Sequence, residues 1–395
     1  MAAVPDLEEL VRTRKIIVCV GSGGVGKTTM SAAIALRAAQ LGKSACVVTI
    51  DPARRLATAM GLPPLGNTET RVANERLEAA GIPPLTGQLW AMTLDTKRTW
   101  DDLVVRFALD RTQARRILDN HYYQQLSTAL AGSQEFMAME KLYELHESRK
   151  YDLLVLDTPP TRHALDFLDA PQKMMGFMDE SVLKPFLASS LTAGRWGLGF
   201  LTNSSAWMFK MLERITGFQV MRDVSDFIGS FSGMHAGFRE RAGKVEALLR
   251  ARASIFVLVT SPNPVTVEEA TYFYRKLAAK RLPFGGFIVN RIHADALLEH
   301  GAKDAWAAMR KDPAQILQAL GVTPSLPQAE RMADKLAENF QHLQGLAETD
   351  AAQLERLEKA CAGPHFWRPV PAFDVDVHDL SGLARVNQHL FAGGV

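Results

Sequence analysis

The chain has 395 residues, is 47% hydrophobic and 22% charged, and balances 45 basic against 43 acidic side chains for a formal net charge of +2. That length corresponds to two or three domains, or to one large α/β domain with insertions. Near-neutrality excludes the chain-wide basic field that nucleic-acid binders use, so no nucleic-acid partner is expected. The three cysteines, Cys19, Cys46 and Cys361, are widely separated and form no CxxC, so neither a disulfide framework nor a structural zinc site is readable. A reducing, cytoplasmic setting fits that usage. Asp6, Glu8 and Glu9 precede the first arginine, unlike the basic start of a signal peptide. No window of about 20 residues escapes charged or polar breaks, so no spanning helix is expected.

In chain order, residues 15–20 form a nearly unbroken apolar run, the pattern of a strand buried on both faces. The run meets Gly21-Ser22-Gly23-Gly24-Val25-Gly26-Lys27-Thr28-Thr29, and an alanine-rich helical pattern follows. Strand, glycine loop and helix in that order form a P-loop. Residues 44–50, 88–94, 151–157, 255–260, 284–290 and 369–373 read as six further strands, separated by helical patterns. That alternation predicts an α/β fold, a mostly parallel twisted sheet flanked by helices. Residues 62–84 read as short helix plus loop. Residues 97–149 and 163–249 read as a helical subdomain above the sheet, and 294–363 as a helical insertion before the last core strand. The whole is expected to be one P-loop ATPase domain over 1–395.

Ligands of such sheets bind beyond the carboxyl ends of the strands, where Asp51, Asp157 and Asn290 fall. The amides of Gly23, Gly24, Val25 and Gly26 and the following helix N-terminus would cradle phosphate oxygens. Lys27 would reach the β- and γ-phosphates, and Thr28 would place its hydroxyl on Mg²⁺, with Thr29 beside it. Asp157 closes an apolar strand next to this loop, the usual position of an acid that holds Mg²⁺ through water. Asp51 ends the strand after the P-loop helix. There it could orient or deprotonate an attacking water, or approach the metal; an Asp-Pro turn is the plainer alternative.

Together, residues 21–29, Asp51-Pro52-Ala53 and Asp157-Thr158-Pro159-Pro160-Thr161-Arg162-His163 resemble the ArsA family of ATPases, which includes the ATPases that target tail-anchored membrane proteins. The resemblance continues through Asp95, Gly132, Glu135, Val289-Asn290-Arg291 and Pro371-Ala372-Phe373-Asp374. It implies hydrolysis of ATP with Mg²⁺ by dimers that close over two nucleotides. It also implies that Asp51 is the water-activating switch, that residues 157–163 form a second switch, that Asn290 hydrogen-bonds adenine, and that Pro371 and Phe373 pack on the base.

Two departures stand out. The family's P-loop carries a lysine where this chain has Ser22, and that lysine reaches the partner's phosphates. The missing charge could come from a lysine-bearing paralogue in a heterodimer, or from Arg54, Arg55 or, preferably, Arg162; otherwise hydrolysis is very slow. The family's zinc-binding cysteine pair is also missing after Asn290, and scattered cysteines argue against metalloid sensing.

Residues 174–218 are rich in Met, Phe, Leu and Trp. Flexible methionines can repack around varied apolar partners. The stretch is either the core of the helical subdomain or a groove for an apolar client helix. Function therefore reads as a cytoplasmic ATPase, a homodimer or heterodimer, whose nucleotide-driven closure binds and releases an apolar client or a membrane-protein partner. The alternatives are the ATPase subunit of an anion or arsenite-type pump and a low-activity structural partner in a heterodimer.

Overall fold

A computed structural model describes residues 6–51, 55–121, 123–124, 133–159, 169–170, 235–295, 311 and 326–391. Arg54, the switch residues 160–163 and the methionine-rich stretch 174–218 lie outside the described residues. Elements are numbered in chain order among the described ones.

The sheet contains eight strands: β1 (Ile16–Val20), β2 (Ser44–Thr49), β3 (Thr70–Arg71), β4 (Gln88–Thr93), β5 (Leu153–Asp157), β6 (Ser254–Thr260), β7 (Phe284–Ile292) and β8 (Phe366–Pro371). They lie in the order β3-β4-β2-β5-β1-β6-β7-β8, all parallel except the antiparallel β3. The expected mostly parallel α/β sheet is what the chain forms.

The central strands are buried on both faces because each sends alternate side chains into a different layer. Ile17, Cys19, Val47, Val155 and Val257 pack under α1 (Leu7–Thr13), α2 (Lys27–Gln40) and α11 (Leu380–Phe391). Val18, Cys46, Val48, Leu156, Phe256 and Leu258 pack under α5 (Thr96–Phe107), α7 (Ser133–Glu147), α8 (His235–Arg250) and α9 (Pro264–Ala279). The alanines of α2 (Ala32, Ala33, Ala35, Ala38 and Ala39) are fully buried, which brings that helix close against β1, β2 and β5. Full burial of each Val, Leu or Ile contributes about 1.5–3 kcal/mol, so these two layers dominate stability.

Helix starts are chemically marked. Asp95 accepts from the Arg98 amide at the head of α5, and Asn263 accepts from the Val265 amide with Pro264 opening α9. α6 (Arg111–Leu118) carries the same kind of cap from Asp110. The long α10 (Leu326–Ala360) returns the chain to β8.

Two local readings need correction. The stretch 62–84 holds the two-residue β3 as well as α4 (Asn74–Ala79), because Val72 donates to the Leu89 carbonyl and ties the chain to the sheet edge. The last strand runs from Phe366 to Pro371, not from 369 to 373. Trp367 stacks on Phe287 with ring centroids 4.3 Å apart, which anchors the strand upstream of its prolines. Prolines are tolerated because β8 is an edge strand.

Candidate nucleotide site

The loop from β1 to α2 crosses the carboxyl end of the sheet. Gly26 caps α2 at φ +95°, and a Cβ there would lie 2.5 Å from Asn290 Nδ2. A Cβ at Gly21 would lie 2.0 Å from the Val259 carbonyl oxygen. Both positions therefore require glycine, for conformation and for clearance alike. No side chain caps α2, so its first amides stay available to a ligand at the positive end of the helix.

The structure brings most of the candidate residues to one cavity of about 800 Å³. Gly24, Gly26, Lys27, Thr28, Thr29, Asp51, Asn290, Pro371 and Phe373 all line it. Gly23 is exposed at the loop crest and Val25 is buried beneath it; neither faces the cavity. Arg55 lines the cavity too, with Nη1 3.6 Å from Asp51 Oδ2. Arg162 lies outside the described residues.

Asp157 sits one layer below the cavity and is fully buried. Thr28 Oγ1 and Thr49 Oγ1 both donate to its Oδ2, at 2.7 and 2.8 Å. Its Oδ1 is buried and accepts no hydrogen bond. Burial pushes the carboxyl up to about 6, against the pull of the two threonines and the Lys27 charge. Burial likewise lowers the Lys27 ammonium, which Asp157 and Asp51 partly offset. Lys27 Nζ donates to the Ser22 carbonyl at 2.7 Å. A hydroxyl and two carboxylates are the oxygen donors a hard dication takes, and the unpaired Oδ1 of Asp157 is a buried anion such a cation would balance. Thr28, Asp51 and Asp157 thus fit Mg²⁺.

Asn290 is buried and gives one amide hydrogen to the Val25 carbonyl at 2.9 Å, which couples β7 to the P-loop. The β7–β8 register shifts between Asn290 and Ile292, and Arg291 adopts φ +63°. This irregularity aims the strand end into the cavity.

Thr158 is legible only as part of the 157–163 switch, and three further participants, Thr49, Glu269 and Asp350, are not read from the sequence. Thr49 stands two residues before Asp51, and strand-end position was its only signal. Thr158 hydrogen-bonds the Cys19 carbonyl at 2.8 Å through its hydroxyl, joining β5 to β1. Glu269 on α9 accepts from the Ser22 hydroxyl. Asp350 on α10 holds His293, 57 residues away in sequence. The last two pairings cross elements too distant in sequence for spacing to reveal. Cys19 and Cys46 are buried and their thiols are pushed up by desolvation, so both behave as small apolar groups. Among the described residues no helix is long and apolar enough to cross a membrane.

A family model described as anion-transporting ATPase matches residues 14–318. The chain is 29% identical over 172 residues to ATPase GET3 of Malassezia globosa, covering 43% of this chain and 47% of that one. It is 25% identical over 314 residues to an ATPase ASNA1 homolog of Babesia bovis, covering 79% and 76%. It is 25% identical over 347 residues to ATPase ARSA1 of Chlamydomonas reinhardtii, covering 76% and 39%. Of the first three curated relatives it matches, the chain spans less than half the length, 47%, 40% and 27%.

Proposed function

This chain belongs to the anion-transporting ATPase family, and on that premise we propose that it binds ATP with Mg²⁺ and hydrolyses it to ADP and phosphate. The observation that carries the reading is the convergence of Lys27, Thr28, Asp51, Asn290 and Phe373 on one cavity, with the half-paired carboxylate of Asp157 directly behind Thr28. In this reading the α2 N-terminus and Lys27 take the triphosphate. Mg²⁺, when bound, neutralises phosphate charge beside Thr28 and Asp157. Asp51 orients the attacking water. Asn290, Pro371 and Phe373 hold the base. Lys27 gives one of its three N–H groups to the Ser22 carbonyl and keeps two for phosphate oxygens.

The cycle proposed for the whole protein is closure of a cytoplasmic dimer over two nucleotides, with the helical regions 97–149 and 163–249 facing an apolar client or membrane-protein partner. Membership in the family supports this reading, as do relatives that bear the names GET3 and ASNA1. A pump-associated ATPase uses the same site and differs only in the partner. A second reading, a slow subunit paired with a lysine-bearing paralogue, is favoured by Ser22, whose hydroxyl is committed to Glu269 and brings no charge.

Calorimetric titration with Mg-ATP tests the core of the proposal, together with phosphate release and sedimentation with and without nucleotide. Saturable heat that is lost in Lys27→Ala is the expected result. No heat and no nucleotide-dependent stabilisation would overturn it.

A further inference from the structure

Beyond Asn290, a second side chain faces the base end of the cavity. His293 lines it immediately after the β7 irregularity, next to the ends of both β7 and β8. The Ala372 amide donates to the Ile292 carbonyl at 2.9 Å, which brings His293 beside the Ala372–Phe373 segment. His293 is fixed twice to one oxygen of α10. Its backbone amide donates to Asp350 Oδ2 at 2.8 Å, and its ring Nδ1 lies 2.8 Å from the same atom. The Asp350 side chain is 9% exposed and the His293 ring 33%, so the anchor is buried and the ring reaches the cavity.

An ionised carboxylate only accepts hydrogen bonds, so Nδ1 carries the proton of this pair. The Nδ1–H tautomer so fixed presents Nε2 as an acceptor, the same logic by which a carboxylate fixes the tautomer of a metal-bound histidine. A built acceptor at the base end distinguishes purines by their 6-substituent. A 6-amino group donates to it, whereas a 6-oxo group is an acceptor and meets it lone pair to lone pair.

We propose that His293, oriented by Asp350, is a specificity-determining residue that selects 6-aminopurine nucleotides by accepting a hydrogen bond from the exocyclic amine. Asp350 is the positioning residue, acting through His293. The inference rests on the nucleotide reading above and adds a contact to it. It also makes α10 part of the base pocket, because the pocket's acceptor is held by a carboxylate on that helix.

The test compares Mg complexes of ATP, GTP and purine riboside triphosphate, which is ATP without its 6-amino group, by calorimetry. One net hydrogen bond near 1 kcal/mol corresponds to roughly a fivefold preference for ATP over the des-amino analogue from this contact. His293→Ala removes that roughly fivefold share and weakens discrimination against GTP, while affinity for the des-amino analogue stays at the wild-type value. The analogue's affinity is therefore the internal control for folding. Asp350→Asn, which no longer dictates the tautomer, reduces the same preference without removing the ring, and His293→Gln, which keeps a carbonyl acceptor, restores part of it. An ATP-to-analogue ratio unchanged in His293→Ala overturns the inference and leaves His293 as a mere tie between β7 and α10. A wild-type chain that takes up neither ATP nor the analogue removes the nucleotide reading itself, and this inference with it.

Discussion

The hydroxyl of Thr28 donates to Oδ2 of Asp157 at 2.7 Å, so the first turn of α2 and the end of β5 meet on one oxygen. Thr49 adds a second donor to that oxygen, and the other, Oδ1, is buried without any. The carboxylate is thus half satisfied, with its pKa raised from an ordinary 3.8 to about 6 by burial. In proposed function terms, this is a charge that waits for a cation.

A raised folded-state pKa has a definite sign. Between about 3.8 and 6 the folded chain binds more protons at Asp157 than the unfolded chain does. Nucleotide-free stability therefore falls as pH rises through that window and levels off above it. The shift corresponds to a contribution on the order of 2–3 kcal/mol. Asp157→Asn should flatten this slope in denaturant titrations at pH 4.5, 6 and 7.5. The same variant should lose the stabilisation that Mg-ATP gives the wild type.

Asp51 lines the cavity at the end of β2, one-quarter exposed, with its backbone amide on the Thr49 hydroxyl at 3.2 Å. Asn keeps an oxygen toward the metal but loses the basic carboxylate proposed to orient water, so the change to Asn should matter to the chemical step and little to binding. General-base assistance contributes typically 10²–10⁴-fold, so Asp51→Asn should lower single-turnover hydrolysis by about 10²-fold or more. Its dissociation constant for Mg-ATP should stay within about threefold of wild type, less than one hydrogen bond's worth. Arg55 is 69% exposed, and an exposed ion pair contributes under about 1 kcal/mol, so Arg55→Ala should leave stability nearly unchanged.

The fold was legible because two signals agreed: apolar runs without alternation, and a glycine loop between one such run and a helix. Residues 44–50 and 284–290 illustrate the first, and 21–29 the second. The corrected strand, β8, failed on the same logic. Arg368 and two prolines break its apolar pattern, while the stacking of Trp367 on Phe287 that positions it is a tertiary contact. Lys27, Thr28 and Asp51 were readable because local spacing fixes their place. Glu269 and Asp350 were not, because each meets the site through a helix packed from elsewhere.

Helices α7 and α8 cover one face of the sheet and are joined by a buried ion pair. Glu140 is 1% exposed, and Arg241 Nε lies 2.7 and 2.9 Å from its two oxygens. The Arg241 guanidinium also sits 4.0 Å over the Tyr143 ring. Removing one partner leaves a buried charge uncompensated, which typically costs 3–5 kcal/mol. Arg241→Met should lower unfolding free energy by up to about that amount in urea titrations, and a double variant with Glu140→Gln should recover a large part. Arg106, with Nη1 3.6 Å from Glu140, moderates the loss. A fall as small as that of an exposed pair would show that Arg106 alone suffices to compensate Glu140.

Ser22 offers the sharpest test of where the missing positive charge comes from. It is 5% exposed, and its hydroxyl donates to Glu269 on α9, so the position where the family resemblance implies a lysine is occupied by a neutral, internally paired group. A cation placed on transferring phosphate is worth 10³–10⁵ in rate where an arginine finger supplies it. If Arg162 supplies that charge within a homodimer, Arg162→Ala should lower turnover far more than nucleotide affinity. Ser22→Lys should then rescue that variant by about tenfold or more, a fraction of a full finger's effect because Glu269 competes for the new ammonium. If a paralogue supplies it, Arg162→Ala should leave the slow basal turnover unchanged, and Ser22→Lys alone should raise it. Steady-state phosphate release from the four combinations separates the two arrangements, since the rescue pattern depends on whether a cation is already present. Both outcomes require the same cavity and the same Lys27, so neither bears on whether nucleotide binds.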